Sequence, residues 1–170
     1  MHSKIVISFA LIFWCIPLAQ AAALPLVAVF DFEFIDTSLG GSIHGENAAE
    51  KARLIKLGEQ LRKSIAESGR FQLVDIGPIE KEAHSSNLQS CGGCDADMAG
   101  KLGAGLSITG TVQKVSELIL NVNLYVRDVP SGKLIASMSA DMRGNTDESW
   151  SRALNWLIRH RLLAPNFGQQ

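Results

Sequence analysis

Apolar positions change period repeatedly along the chain, and each change marks a new element. Leu26 to Ile35 (LVAVFDFEFI) is almost continuously apolar and aromatic, the pattern of a strand covered on both faces. Gly40, Gly41 and Gly45 break that run and read as a loop. From Ala48 to Ser68 the period is helical. Leu54, Leu57, Leu61 and Ile65 recur at three- and four-residue steps, while Lys51, Arg53, Lys56, Glu59 and Lys63 fall largely elsewhere. Gly69 stands where a glycine ends a helix. Phe71 to Ile76 (FQLVDI) reads as a short strand. Pro78 opens a helix at its first position, which runs to about Asn87. Asp95 caps a further helix to Leu102, ended by Gly103 and Gly105.

The second half is dominated by strands. Leu106 to Val115 is followed by Leu118 to Asp128, which alternates. Leu120, Val122, Leu124 and Val126 share one face, and Asn121, Asn123 and Tyr125 share the other. Pro130-Ser131-Gly132 makes the turn. Lys133 to Arg143 returns with Leu134, Ala136, Met138, Ala140 and Met142 in register. Half-polar alternation marks an antiparallel meander with one wet face. Asn145 caps the last helix, with Glu148 reaching back three residues later. Trp150, Ala153, Leu154, Leu157 and Ile158 form its apolar face, Arg159, His160 and Arg161 suit its last turn, and Pro165 ends it. The predicted order is β-α-β-α-α-β-β-β-α. This is an α/β chain of α+β character: a mixed sheet with a C-terminal antiparallel meander, helices mainly on one face, and an open polar face. Residues 22–165 form one domain, and 166–170 a frayed tail.

The first 21 residues change the picture. A weakly basic start at His2 and Lys4, an apolar run from Ile5 to Leu18, and Ala19-Gln20-Ala21 match a cleaved secretory leader, cut after Ala21 or Ala23. The run is shorter than the roughly 20 apolar residues that span a bilayer. Phe13-Trp14 ahead of Cys15 is too bulky for lipidation. Losing one lysine with the leader leaves 15 Lys and Arg against 17 Asp and Glu, a net charge near −2. Nonspecific nucleic-acid binding needs a basic face and is excluded. Cys91 and Cys94 are the cysteines left. In an oxidising compartment they pair in the short ring Cys91-Gly-Gly-Cys94.

Enzymatic chemistries fail on their residues. Gly40 and Gly45 have P-loop spacing, but Glu46-Asn47 replaces the Lys-Ser/Thr that neutralises phosphate. Gly103 and Gly105 lack the third glycine of a dinucleotide loop, and Ser42 in Gly40-x-Ser42-x-His44 lacks the closing glycine of a nucleophile elbow. His44, His84 and His160 lie in different elements. One cysteine pair near His84, Asp95 and Asp97 falls short of a structural zinc set, and Asp95 replaces the histidine of haem attachment. No catalytic residue, metal ligand or cofactor is assigned. Cys91 and Cys94 ahead of a helix leave thiol–disulfide exchange as an alternative, weakened by the negative Asp95 and Asp97 beside them.

Polar residues without a local task mark candidate contact surfaces. The stretch from Asp141 to Trp150 offers Asp141, Arg143, Asn145, Asp147 and Trp150. The wet face of the meander offers Asn121, Asn123 and Tyr125, which also suit a small ligand. Asp31, Glu33 and Asp36 cluster near the end of the first strand, where ligands often bind in open sheets. Trp156 lies off the apolar face of the last helix, as a partner contact or part of a second core cluster.

Four segments carry a resemblance: Val27-Ala-Val-Phe-Asp-Phe, Ser68-Gly-Arg-Phe-Gln-Leu-Val-Asp, Gly103-Ala-Gly-Leu-Ser-Ile-Thr-Gly-Thr-Val and Leu124-Tyr-Val-Arg-Asp-Val-Pro-Ser-Gly-Lys. They resemble successive core elements of the TolB N-terminal-like domain, related to domains of curli-secretion and penicillin-binding-protein-activator lipoproteins. Cys91-Gly-Gly-Cys94 and Gly144-Asn-Thr-Asp-Glu-Ser-Trp150 are similar to stretches of a family of small secreted bacterial proteins of unknown function. The resemblance covers about residues 25 to 163. It implies a periplasmic adaptor that binds envelope proteins, is not an enzyme, and accompanies a periplasmic quinoprotein dehydrogenase system; the short apolar leader leaves no stable membrane anchor after cleavage. Unlike the larger relatives, no propeller follows and no lipid anchor precedes.

Overall fold

The computed structural model describes residues 23–45, 47–165 and 167. The expected leader, and all of the expected tail but Phe167, lie outside them. Phe167 itself packs edge-on against Phe71, with ring centroids 6.3 Å apart.

The chain forms β1 (Leu26–Asp36), α1 (Leu39–His44), α2 (Ala48–Glu67), β2 (Gln72–Leu73), a 3-10 turn (Gly77–Ile79) and α3 (Glu80–His84). There follow α4 (Cys94–Lys101), β3 (Leu106–Lys114), β4 (Leu120–Asp128), β5 (Leu134–Met142) and α5 (Asp147–Leu157), which runs on into a π-helical turn at Ile158–Leu162. The five strands make one mixed sheet in the order β2-β1-β3-β4-β5. The first three are parallel, and β3, β4 and β5 are the antiparallel meander.

The alternation read from the sequence decides the two faces. Val27, Val29, Ile108, Val112, Leu120, Val122, Leu124, Val126 and Met138 point to one side and pack on Leu57, Leu61 and Ile65 of α2 and Trp150, Leu154 and Leu157 of α5. Ala28 and Phe30 point to the other and pack on Ile79, Ala83, Leu88, Met98 and Ala99. The two long helices therefore share one face. The shorter α3 and α4 cover β1 and the start of β3 on the other, and among the described residues no helix lies over the polar face of β5.

Four local expectations are corrected. The Gly40–Gly45 loop is the helix α1: Ser38 accepts the Gly41 N–H at 3.1 Å, and the Asp36 carboxylate accepts the Ser38 N–H at 2.8 Å. Glycine at 41 serves close approach, since a Cβ there lies 2.5 Å from the Asp36 carboxylate. The strand expected at Phe71–Ile76 pairs only at Gln72 and Leu73, because the Asp75 carboxylate accepts the Gly77 N–H and turns the chain away. Gly93, in the left-handed region, starts α4. Asp95 sits in its first turn, pointing inward to Ser107 Oγ at 2.5 Å and Arg127 Nε at 3.1 Å. Thr146, not Asn145, caps α5, and Ser149, not Glu148, returns the bond in the capping box.

Candidate functional site

Sheet register explains where the chain leaves backbone unsatisfied. Leu26 O accepts from Gly105 and faces β3, while Val27 O accepts from Val74 and faces β2. Beyond Val27, β2 has ended. A bulge between Val29 and Phe32 then inverts the parity of β1. Thr37 N–H donates to Lys114 O at 2.9 Å, so Glu33 and Ile35 also face β3. By the same alternation the N–H and C=O of Phe32 and Phe34 point to the side without a strand. Among the described residues, no hydrogen bond reaches them from that side.

This open edge is the floor of a cleft of about 700 Å³ between α2 and α3, with α1 at its rim. Phe32, Phe34, Leu54, Ile55, Ala83 and Leu88 give it an apolar lining. Ile55 is 59% exposed, and Leu39 and Ile43 of α1 are 76% and 64% exposed. Large aliphatic side chains in water beside an unpaired strand are what a docking surface presents.

Charged groups fix both ends of the cleft. At one end Asp31 accepts from Arg62 Nη1 at 2.8 Å and stands 2.9 Å from His84 Nε2. Burial pushes the Asp31 carboxyl up, but the bonds from His84 and Arg62 outweigh it and hold it below the usual carboxylate range. Arg62 also reaches Val29 O at 3.4 Å and closes the edge there. At the other end Lys114, 3% exposed, is surrounded by carboxylates: Glu50 at 2.6 Å, Glu117 at 2.5 Å and Asp36 at 3.6 Å. Its desolvation is outweighed by these partners, and its pKa is raised. Glu33 accepts the Leu88 N–H at 2.7 Å, tying the loop after α3 to β1.

Most of the residues expected to form contact surfaces have internal partners. Asn145 donates to Glu50 at 2.5 Å and Glu117 at 2.9 Å, and accepts from Arg53 at 3.1 Å and from the Trp150 indole at 3.0 Å. Asp147 joins Arg53 at 2.8 Å and Lys56 at 2.6 Å, and the bonds from these two hold its carboxyl low. Trp150 is 1% exposed, beneath Arg53. Asn123 is buried and donates to Thr111 and Asn121. Tyr125 is half-buried, and Asp141 and Arg143 are exposed. Trp156 is 48% exposed and packs on His160, not in the core.

Cys91 and Cys94 form a disulfide at the start of α4, with Cys91 exposed. His84 turns to Asp31. With Glu80 these two bring one ligand atom each within 4.8 Å of one another, a set able to share a divalent cation, although Arg62 already holds Asp31. Sequence reasoning picked out Asp31, Glu33 and Asp36 but not the cleft. Its one sequence signal is the Asp75-x-Gly77-Pro78 turn, which stops β2 short of its neighbour.

Among the described residues no helix is long and apolar enough to cross a membrane. No curated protein sequence matches the chain. The fold matches the LpoB C-terminal domain from Salmonella enterica at TM-score 0.50 and 17% identity, covering 74% of this chain and 87% of that one. Lipoprotein GNA1162 from Neisseria meningitidis is similar at TM-score 0.48 and 14% identity, over 78% of this chain and 90% of that one. TolB from Acinetobacter baumannii is similar at TM-score 0.48 and 12% identity, over 81% of this chain and 29% of that one. At such identities the likeness speaks for the fold alone, which is that of the LpoB domain and agrees with the core segments read from the sequence. By a family model matching residues 25–162, the chain belongs to the DUF3280 family, described as "Protein of unknown function (DUF2380)".

Proposed function

We propose that this chain is an exported, non-catalytic adaptor of the bacterial periplasm that receives a segment of another envelope protein in the β1 cleft. The observation that carries the reading is the open edge of β1 at Phe32 and Phe34, lying in a cleft with apolar walls. Unpaired backbone in such a place is satisfied by water in the free protein and by a partner's main chain in a complex. The leader pattern and the envelope proteins that share the fold support the compartment. A periplasmic dehydrogenase system is the setting, on family resemblance. Asp141, Arg143 and Tyr125 on the open side of the meander form a secondary contact surface.

The test is photo-crosslinking in intact cells, with a photoreactive amino acid at Ile55 or Leu54 in the cleft and at Lys133 at the far edge. A partner adduct at the cleft positions and none at Lys133 supports the reading. Equal labelling at all three sinks it.

A second reading, thiol–disulfide exchange, draws on the exposed Cys91 beside the start of α4. The reduction potential decides it, since a value below about −300 mV marks a structural bridge.

A further inference from the structure

The two walls of the cleft differ in chemistry, and the difference specifies the occupant. On the α2 side stand Leu54 and Ile55, next to the half-buried Phe34 of β1, with Glu50 and Lys51 of opposite charge nearer the helix start. On the α3 side Ile76, Ala83 and Leu88 are joined by Asp31, Glu33 and Glu80, with His84. Arg62 answers Asp31, Glu33 has one oxygen on the Leu88 N–H, and no cation is paired with Glu80 among the described residues. Carboxylates therefore outnumber cations on this wall.

A chain laid along the edge of β1 turns alternate side chains to the two walls, because a strand has a period of two. One set meets Leu54 and Ile55, and the other meets the carboxylates. The usable edge begins after Arg62 closes it at Val29 and ends where α1 begins. From Phe32 to Asp36 that is room for a strand of about five residues, roughly 17 Å.

We infer that the cleft takes an extended segment in which aliphatic residues alternate with Lys or Arg, added to the sheet as a sixth strand beside Phe32 and Phe34. The inference rests on the docking role proposed above and names the chemistry of the partner. A second copy of this chain does not meet it. Its exposed edge strand β5 carries Ser137, Ser139 and Asp141 between the apolar positions, hydroxyls and a carboxylate where cations are needed.

The probes are two acetylated, amidated and fluorescently labelled peptides, Ser-Val-Lys-Val-Lys-Val-Ser and Ser-Val-Glu-Val-Glu-Val-Ser, titrated into the exported protein by anisotropy. The lysine peptide is expected to bind at least about tenfold tighter, and the paired substitution Glu33→Gln and Glu80→Gln to remove most of that preference. Both substitutions keep a hydrogen-bonding side chain, and circular dichroism checks the fold of the double variant. Methylating the peptide's amide nitrogens one at a time is expected to abolish binding at every second residue only, those whose N–H faces β1. Equal affinity of the two peptides overturns the charge assignment, and methylation without a two-residue period overturns strand addition. If the lysine peptide fails while Ile55 still crosslinks a partner in cells, the occupant's chemistry is wrong and the docking role stands. If both fail, the docking role falls as well.

Discussion

The sheet has two edges with free backbone, and they are treated differently. At the β5 edge the strand pairs with β4 from Leu134 to Met142 but for a bulge at Ile135, and presents Ser137, Ser139 and Asp141 on its open face. Lys133 and Arg143 flank it. Short polar side chains and flanking charge discourage pairing with another chain. At the β1 edge the neighbouring strand stops after two residues, a bulge turns the N–H and C=O of Phe32 and Phe34 outward, and helices on both sides enclose the gap with apolar side chains. A free strand edge is a hazard when flat and exposed, and a binding device when recessed. What separates the two here is the packing of α2 and α3 around β1.

The comparison can be broken first at the Lys114 end of the cleft. Lys114→Met leaves Glu50, 2% exposed, without its cation and is expected to cost about 3–5 kcal/mol in chemical denaturation. Ser139→Ala on the β5 side is expected to stay within about 0.5 kcal/mol. Equal losses at the two sites remove the claim that the β1 end is held by its ion network. The next effect is smaller. Replacing both cysteines by serine opens a ring of a few residues and is expected to cost about 2 kcal/mol. If it also weakens crosslinking at Ile55, the bridge shapes the α3–α4 loop that walls the cleft.

Acid sharpens the contrast further. Burial raises the Asp31 and Asp36 carboxyls, but hydrogen bonds from His84 and Arg62 to the first, and from Ser38 to the second, outweigh it. Both are held below the ordinary 3.8. The Lys114 bond holds Glu117 low as well. A group whose folded pKa is depressed stabilises the fold fully above its unfolded value and ceases to as pH falls through the folded one. Stability is therefore expected to be flat from neutral pH to about pH 5 and to fall below about pH 4. Asp31→Asn should flatten part of that fall in a pH series of denaturation midpoints, and an unchanged acid limb shows that Asp31 is not among its causes. The smallest expected change in stability is at Ile55, where Ile55→Glu should stay within about 0.5 kcal/mol yet abolish docking in the cleft. Retained docking by a folded Ile55→Glu protein removes the apolar wall from the recognition.

Much of the fold was legible because its signals are local. The alternation in β4 and β5 assigned both faces of the meander, and the period of α2 placed Leu57, Leu61 and Ile65 in the core. Misreadings arose where two local signals competed. Asn145 and Thr146 both suit a cap. Thr146 takes that role, while the Asn145 amide is drawn into Glu50, Glu117 and the Trp150 indole, none of which the sequence places beside it. Asp95 reads as a cap for the same reason, yet Ser107 and Arg127 from two strands hold it inside. The candidate site was only half visible. Its carboxylates on β1 stood out, but Arg62 and His84 answer Asp31 from 31 and 53 residues away.

By itself the sequence determined the export pattern, the cysteine pair, the number and order of the main strands and which side of each meets the core, because each depends on residues a few positions apart. The tertiary structure alone decided that β1 outruns β2, that a bulge points the N–H and C=O of Phe32 and Phe34 into a gap, and that three carboxylates gather on the α3 side of that gap. Those features depend on which distant segments pair and where the pairing stops. Period-two and period-3.6 patterns do not carry that information, since a strand reads the same whether its edge is paired or free.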